Sequence, residues 1–273
     1  MQHRKIAFIG AGNMTKSIIG GLIKNGYPAD LIIASNPSVA KLDILKAEYG
    51  IKTTQNNNQA VEFAQAIVLA VKPQLMEHVG GAFDKNIDLS GKLFISIAAG
   101  ITTTRLKEML GGDYAVIRTM PNTPSALTLG MTGLFADRKI LAVDKDFAGN
   151  LLSQVGKIAW VEEEPMMDNV IAAAGSSPAY FFLFLEAMEK EAMATGFTKE
   201  TARLLVQQAM LGAAEMVCHN PHLELSELRT QVTSKGGTTA KAVEAFQEQG
   251  LEQLVAKAMQ AAVKRAQEMS IQF

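Results

Sequence analysis

Short apolar runs alternate with stretches of helical spacing over the chain up to about Glu162. Ile6-Ala7-Phe8-Ile9, Leu31 to Ser35, Ala66 to Val71, Leu93 to Ile97 and Ala115 to Thr119 read as strands buried on both faces, since parallel strands covered by helices are apolar almost throughout. Met131 to Ala136 and Ile158 to Val161 read as two further strands, with a helix from about Asp144 to Val155 between them. Helices are expected from Asn13 to Lys24, stopped near Gly26, and from Thr102, an N-cap, through Leu110. This alternation predicts an α/β fold with a Rossmann-like, doubly wound, mostly parallel sheet.

After Glu162 the strand pattern does not return. Asp168 to Ala174 reads as a short apolar helix ending at Gly175, followed by Ser177-Pro178 opening a long helix to Ala194. Thr198 should cap a further helix to about Cys218, and helices near Ala240 to Gln247 and Leu251 to Met269 close the chain. The long helices carry Ala, Met, Leu and Phe on more than one face. A helix of that kind needs cover, and a domain this small offers little interior. The expected organisation is therefore a dinucleotide-binding domain, residues 1–162, and an all-helical dimerisation and substrate domain, residues 163–273, that meets a second copy of the chain.

Gly10-Ala11-Gly12 lies between the first strand and the first helix. Gly10 permits a sharp turn, and Gly12 leaves the backbone bare where a pyrophosphate would meet the unpaired N–H groups and positive end of the helix. Gly-x-Gly in that context predicts dinucleotide binding. Thr15 stands where the fingerprint has a small residue. The second strand ends Ser35-Asn36-Pro37-Ser38, with no carboxylate to repel a 2′-phosphate. That favours NADP over NAD, with NADH as an alternative donor. Lys72-Pro73 at the exit of the third strand points to a cofactor-side role, against a plain surface cation. Ala98-Ala99-Gly100 leaves room for a flat ring. The prolines of Met120-Pro121-Asn122-Thr123-Pro124 stiffen a loop that reads as a site wall. Gln55-Asn56-Asn57-Asn58 reads as a polar loop.

In the second half, Ser234-Lys235-Gly236-Gly237-Thr238-Thr239 sits between two helices. Bare N–H groups at a helix start suit a carboxylate or phosphate, with a capped turn as the alternative. Gly236, Gly237 and Thr238 would supply backbone donors and Ser234 a hydroxyl.

Composition adds exclusions. The 273 residues are 48% hydrophobic, with a net charge of −1, which argues against a nucleic-acid or anionic-membrane surface. No apolar run is expected to reach membrane-span length. No metal site is indicated. The single cysteine, Cys218, reads as a small packed residue and fits a reducing compartment. With a strand already inside the first ten residues, the expected location is cytoplasmic.

Phe8 to Met14, Ala70-Val71-Lys72-Pro73, Ala98-Ala99-Gly100, Met120 to Pro124, Gly175-Ser176-Ser177-Pro178-Ala179-Tyr180 and Gly236 to Thr239 together resemble pyrroline-5-carboxylate reductase. The resemblance runs from the first strand to the last helix. It implies reduction of L-1-pyrroline-5-carboxylate to L-proline, the last step of proline synthesis, with NADPH or NADH. It also implies homodimers, often assembled into decamers, with active sites between the two domains. By the same resemblance Gly10, Gly12, Asn13 and Met14 hold the pyrophosphate, Ser35 and Asn36 lie at the adenosine ribose, and Asn57 lies nearby. Ala70, Val71, Lys72, Pro73, Ala98, Ala99 and Gly100 flank the nicotinamide. Ser234, Gly236, Gly237 and Thr238 bind the substrate carboxylate, the Thr239 hydroxyl reaches the ring nitrogen, and Glu164 touches substrate. Lys235 departs from the proline common before the double glycine. The other readings are a dehydrogenase of the β-hydroxyacid type, another imine reductase, or a non-catalytic dinucleotide-binding protein.

Overall fold

The computed structural model describes residues 3–272. Its strands are β1 (Ile6–Ile9), β2 (Ile32–Ser35), β3 (Lys52–Thr54), β4 (Ala66–Leu69), β5 (Leu93–Ser96), β6 (Ala115–Met120), β7 (Gly130–Ala136) and β8 (Gly156–Trp160). They form one sheet in the order β3-β2-β1-β4-β5-β6-β7-β8. Every neighbouring pair is parallel except β6 and β7. The strands β1, β2, β4 and β5 are buried along their whole length, as their unbroken apolar sequences require. The order reverses at β1, between β2 and β4, and in open sheets of this type the crevice beyond the carboxyl ends at that point receives the ligand.

Helices α1 (Asn13–Lys24), α2 (Val39–Tyr49), α3 (Asn57–Phe63), α4 (Pro73–Gly81), α5 (Thr103–Leu110) and α6 (Ala142–Ser153) connect the strands. One face of the sheet packs Ile6, Phe8 and Val68 against Ile18, Leu22 and Leu151. The other packs Ile9, Ile67 and Phe94 against Val61, Met76 and Leu106. β3 was not expected. Lys52-Thr53-Thr54 has no apolar signal, and as an edge strand it needs none. Asn57 also lies outside a loop: it opens α3, with the Asn56 side chain accepting from Asn58 N at 2.9 Å.

The second half comprises α7 (Met166–Val170), α8 (Ser177–Ala194), α9 (Lys199–His219), α10 (Leu225–Gln231), α11 (Thr238–Glu248) and α12 (Leu251–Gln272). Gly175 is the last helical residue before Ser176, as expected, but the turn it ends is π-helical. A π-helical turn, Ile171–Gly175, joins α7 to α8, with Ser176 N donating to Ile171 O at 2.8 Å. A Cβ at Gly175 would lie 2.8 Å from Met120 Cε, the movable end of that side chain. Thr198 caps α9 as expected, but α11 begins at Thr238, two residues earlier than the pattern suggested.

The chain divides into two compact units, one running to Pro178 and taking back residues from Ala261 onward, the other Ala179–Gln260. In the second unit Phe181, Phe182, Leu183, Leu204, Leu205 and Leu211 are exposed. Cys218 is exposed as well, not packed. The helical run Met166–Ala194 is long and apolar enough to cross a membrane, with only 6% of its most apolar window buried. The expectation of no such segment is corrected by this one, in which Phe181, Phe182 and Leu183 are exposed.

Candidate active site

The cofactor turn is built by conformation before chemistry. Gly10 adopts φ +110°, and a Cβ there would stand 2.5 Å from Ala70 O. Only glycine lets β1 and β4 end this close together. Gly12 is the N-cap of α1, with no side-chain cap, and a Cβ there would meet nothing within 4 Å. The first turn of α1 therefore keeps its N–H donors and has open space above them, and no acidic residue lies in that turn. These features fit a dinucleotide diphosphate. Thr15 is accommodated inside the turn: it is fully buried and its hydroxyl donates to Gly10 O at 2.8 Å.

At the end of β2, Asn36 Oδ1 accepts from Ala11 N at 3.2 Å, tying the second strand to the glycine turn. Ser35 is fully buried, and its hydroxyl donates to Asn57 Oδ1 at 2.6 Å. Ser35 thus reaches any ligand only through Asn57. Ser38 is the N-cap of α2, but its side chain makes no cap bond and is exposed, so its hydroxyl remains available.

Ala70, Val71, Lys72 and Pro73 leave β4 toward α4, with Pro73 at the first helical position and Lys72 exposed. Ala98, Ala99 and Gly100 follow β5. Ser96 Oγ accepts from Ala98 N at 3.3 Å, and Thr119 Oγ1 donates to Ser96 O at 2.9 Å. Gly100 has φ +73°, and a Cβ there would lie 2.8 Å from Met269 Cβ on the last turns of α12. Of the proline-bounded loop only Thr123 lines a cleft of about 940 Å³, which runs on past Ser125 to Thr128 and along α1 from Asn13 to Lys24.

Glu164 is engaged rather than open. Oε1 accepts from Thr103 N at 2.7 Å and Oε2 from Thr103 Oγ1 at 2.9 Å, and Arg118 Nη1 lies 3.4 Å from Oε1. Arg118 Nη2 also donates to Asp168 Oδ1 at 3.1 Å. The sequence reading missed Arg118 and Asp168. The available signal was a lone charge inside the apolar run of β6, which demands a buried partner. It missed Asn122 as well, which donates to Ala174 O of the π turn at 3.0 Å and accepts from Met131 N at 2.8 Å.

In the second unit, Ser234 to Thr239 joins α10 to α11. Gly236 has φ +74°. Gly237 is the N-cap of α11, and its N–H donates to Ser234 O at 3.0 Å. A Cβ at Gly237 would sit 2.6 Å from Ser234 Oγ. Ser234, Gly236, Thr238 and Thr239 are exposed. The amides of Thr238 and Thr239 lie in the first turn of α11, where no intrahelical acceptor exists.

The glycine turn at the switch point and the helical second half define a nicotinamide-dinucleotide oxidoreductase with a helical dimerisation region. Residues 5–100 match the family described as NADP oxidoreductase, coenzyme F420-dependent, and residues 164–269 match the pyrroline-5-carboxylate reductase dimerisation family. The chain is 58% identical, over all of both chains, to pyrroline-5-carboxylate reductase of Vibrio alginolyticus. Among solved structures, the pyrroline-5-carboxylate reductase of Coxiella burnetii is 41% identical with a TM-score of 0.92, covering 98% of this chain and 99% of that one. The pyrroline carboxylate reductase of Plasmodium falciparum, solved with NADP bound, is 27% identical with a TM-score of 0.85, covering 99% of each. The chain belongs to the pyrroline-5-carboxylate reductase family, the oxidoreductases that reduce L-1-pyrroline-5-carboxylate to L-proline.

Proposed function

We propose that this chain carries out that reduction with NADPH as its preferred donor, holding the cofactor by Gly10 to Met14 and the substrate carboxylate by Gly236 to Thr238. The observation that supports the assignment is the turn before α11, where Gly236 at φ +74°, an N-cap glycine with no side-chain cap bond, and the exposed Thr238 and Thr239 come together. A planar carboxylate accepts from such donors without requiring a cation.

The bound nicotinamide supplies the hydride. The chain's own part is positional. Asn36 and Asn57 orient the adenosine ribose, with Ser35 fixing Asn57. Ala70 to Pro73 and Ala98 to Gly100 hold the nicotinamide side. Ser234, Gly236, Gly237 and Thr238 fix the ring by its carboxylate, and the Thr239 hydroxyl hydrogen-bonds the ring nitrogen. An iminium needs no strong general acid, so a threonine hydroxyl that orients the nitrogen and relays a proton through water suffices. Glu164 is expected at the substrate by resemblance; its bonds from Thr103 to both carboxylate oxygens support a role in holding the site's frame.

NADPH preference rests on the carboxylate-free end of β2 and the uncommitted Ser38 hydroxyl at the start of α2. Contacts to the 2′-phosphate worth about 1.5–3 kcal/mol would favour NADPH over NADH by roughly 10- to 100-fold in kcat/KM. Following oxidation of each reduced cofactor with pyrroline-5-carboxylate, and with a 3-oxoacid as control substrate, tests both points. Equal use of both cofactors would remove the preference, and turnover of the oxoacid alone would remove the reaction.

The exposed apolar residues of α8 and α9 support a homodimer, with a decamer as the further assembly and the cytoplasm as the location. Sedimentation at micromolar concentration is expected to give at least a dimer. A monomer would contradict it.

A further inference from the structure

Two adjacent residues of β6 hold the two ends of one loop. Thr119 donates to Ser96 O, where β5 ends. Arg118, 3% exposed, reaches Glu164, whose two oxygens take the amide and hydroxyl of Thr103, where α5 begins. Between these anchors lies Ala98-Ala99-Gly100. Met269 closes over Gly100, so the loop has contacts on its outer side as well.

We infer that Arg118 is a positioning residue for the nicotinamide-side loop Ala98–Gly100, acting through Glu164 on Thr103. The inference deepens the proposed reaction and rests on its assignment of that loop to the cofactor. The fork of a guanidinium suits the task. One nitrogen faces Glu164 and the other faces Asp168, so a single planar group sets the spacing of two carboxylates. Asp168 keeps the plane oriented, and Glu164 passes that orientation to Thr103. A lysine ammonium at the same place retains the charge and loses the fork. With no cation at all, two poorly hydrated carboxylates would repel, and Glu164 would leave Thr103.

The test uses the full-length protein with Arg118→Lys. NADPH affinity should stay within about threefold, because the diphosphate is held at the glycine turn, while the emission of the bound nicotinamide moves toward that of free cofactor. The kcat should fall about tenfold or more, with KM for pyrroline-5-carboxylate within about threefold. A lowered melting temperature with kcat per folded molecule and emission unchanged would show a purely structural ion pair and overturn the inference. A raised KM with kcat intact would place Glu164 on the substrate and also overturn it. Should Arg118→Lys fail to fold, Thr103→Ala decides, since it removes one of the two bonds from Thr103 to Glu164 and leaves the charges alone. It is expected to lower kcat about threefold with the same emission change, and unchanged values overturn the inference. A wild-type protein that binds NADPH but does not reduce pyrroline-5-carboxylate would count against the reaction and leave the emission test of Arg118 standing.

Discussion

Gly10→Ala is expected to raise the dissociation constant for NADPH by about 100-fold or more and to lower the melting temperature, whereas Gly12→Ala weakens NADPH binding alone. The difference comes from what each new methyl meets. At position 10 it would lie 2.5 Å from Ala70 O, on a backbone with φ +110°. The left-handed strain and the overpacking each cost roughly 1–3 kcal/mol, and β1 and β4 must separate to relieve them. At position 12 the methyl enters open space, with φ −84°, so the protein should melt as the wild type does. The space it fills is the space the diphosphate needs. Fluorescence titration with NADPH, run beside a thermal melt of each variant, reads both effects. Unimpaired binding in Gly12→Ala would remove the diphosphate from this turn.

The second large effect is expected at the turn before α11. Thr239→Val keeps the shape and removes the hydroxyl proposed to orient the ring nitrogen. Loss of one such hydrogen bond costs about 1–3 kcal/mol, or roughly 10- to 100-fold in kcat. Because Thr239 is exposed in the first turn of α11, the exchange should leave the melting temperature near wild type. Gly237→Pro acts differently. Its φ of −77° suits proline, but the N–H that closes the turn onto Ser234 O is lost. Gly236, at φ +74°, would also precede a proline, where a left-handed conformation is disfavoured. The carboxylate donors would shift, and KM should rise along with a fall in kcat. Steady-state kinetics separate the two patterns. Wild-type values in both variants would refute the assignment.

The parts of the fold that were legible in the sequence are those where burial leaves no choice. Ile6 to Ile9 and Ala66 to Leu69 are apolar throughout because helices cover both faces of the sheet. The glycine turn was legible because a sharp turn and bare backbone admit few other residues. Lys52 to Thr54 was not, since an edge strand is held by backbone pairing and leaves no periodic apolar mark. The π turn was hidden for a related reason. Its bond from Ser176 N to Ile171 O leaves no mark in composition, which reads only as a helix ending at Gly175.

The candidate site was read from residue types, and the folded chain shows what some of those residues bond. Ser35 and Glu164 carry the right groups for ligand contact, yet the folded chain commits them to Asn57 and Thr103. Hydrogen bonds between residues far apart in sequence are invisible to a local pattern. Arg118 shows the converse: its charge within Ala115 to Met120 called for a partner, but nothing local identified Glu164 and Asp168.

A crystal of the protein grown with NADP and soaked with an unreactive five-membered ring carboxylate puts the account to its most direct test. The expected density has the carboxylate on the turn amides of Gly236 and Thr238, the ring heteroatom within hydrogen-bonding reach of the Thr239 hydroxyl, and the diphosphate on the amides following Gly12. A ring acid bound away from Ser234 to Thr239 would contradict it.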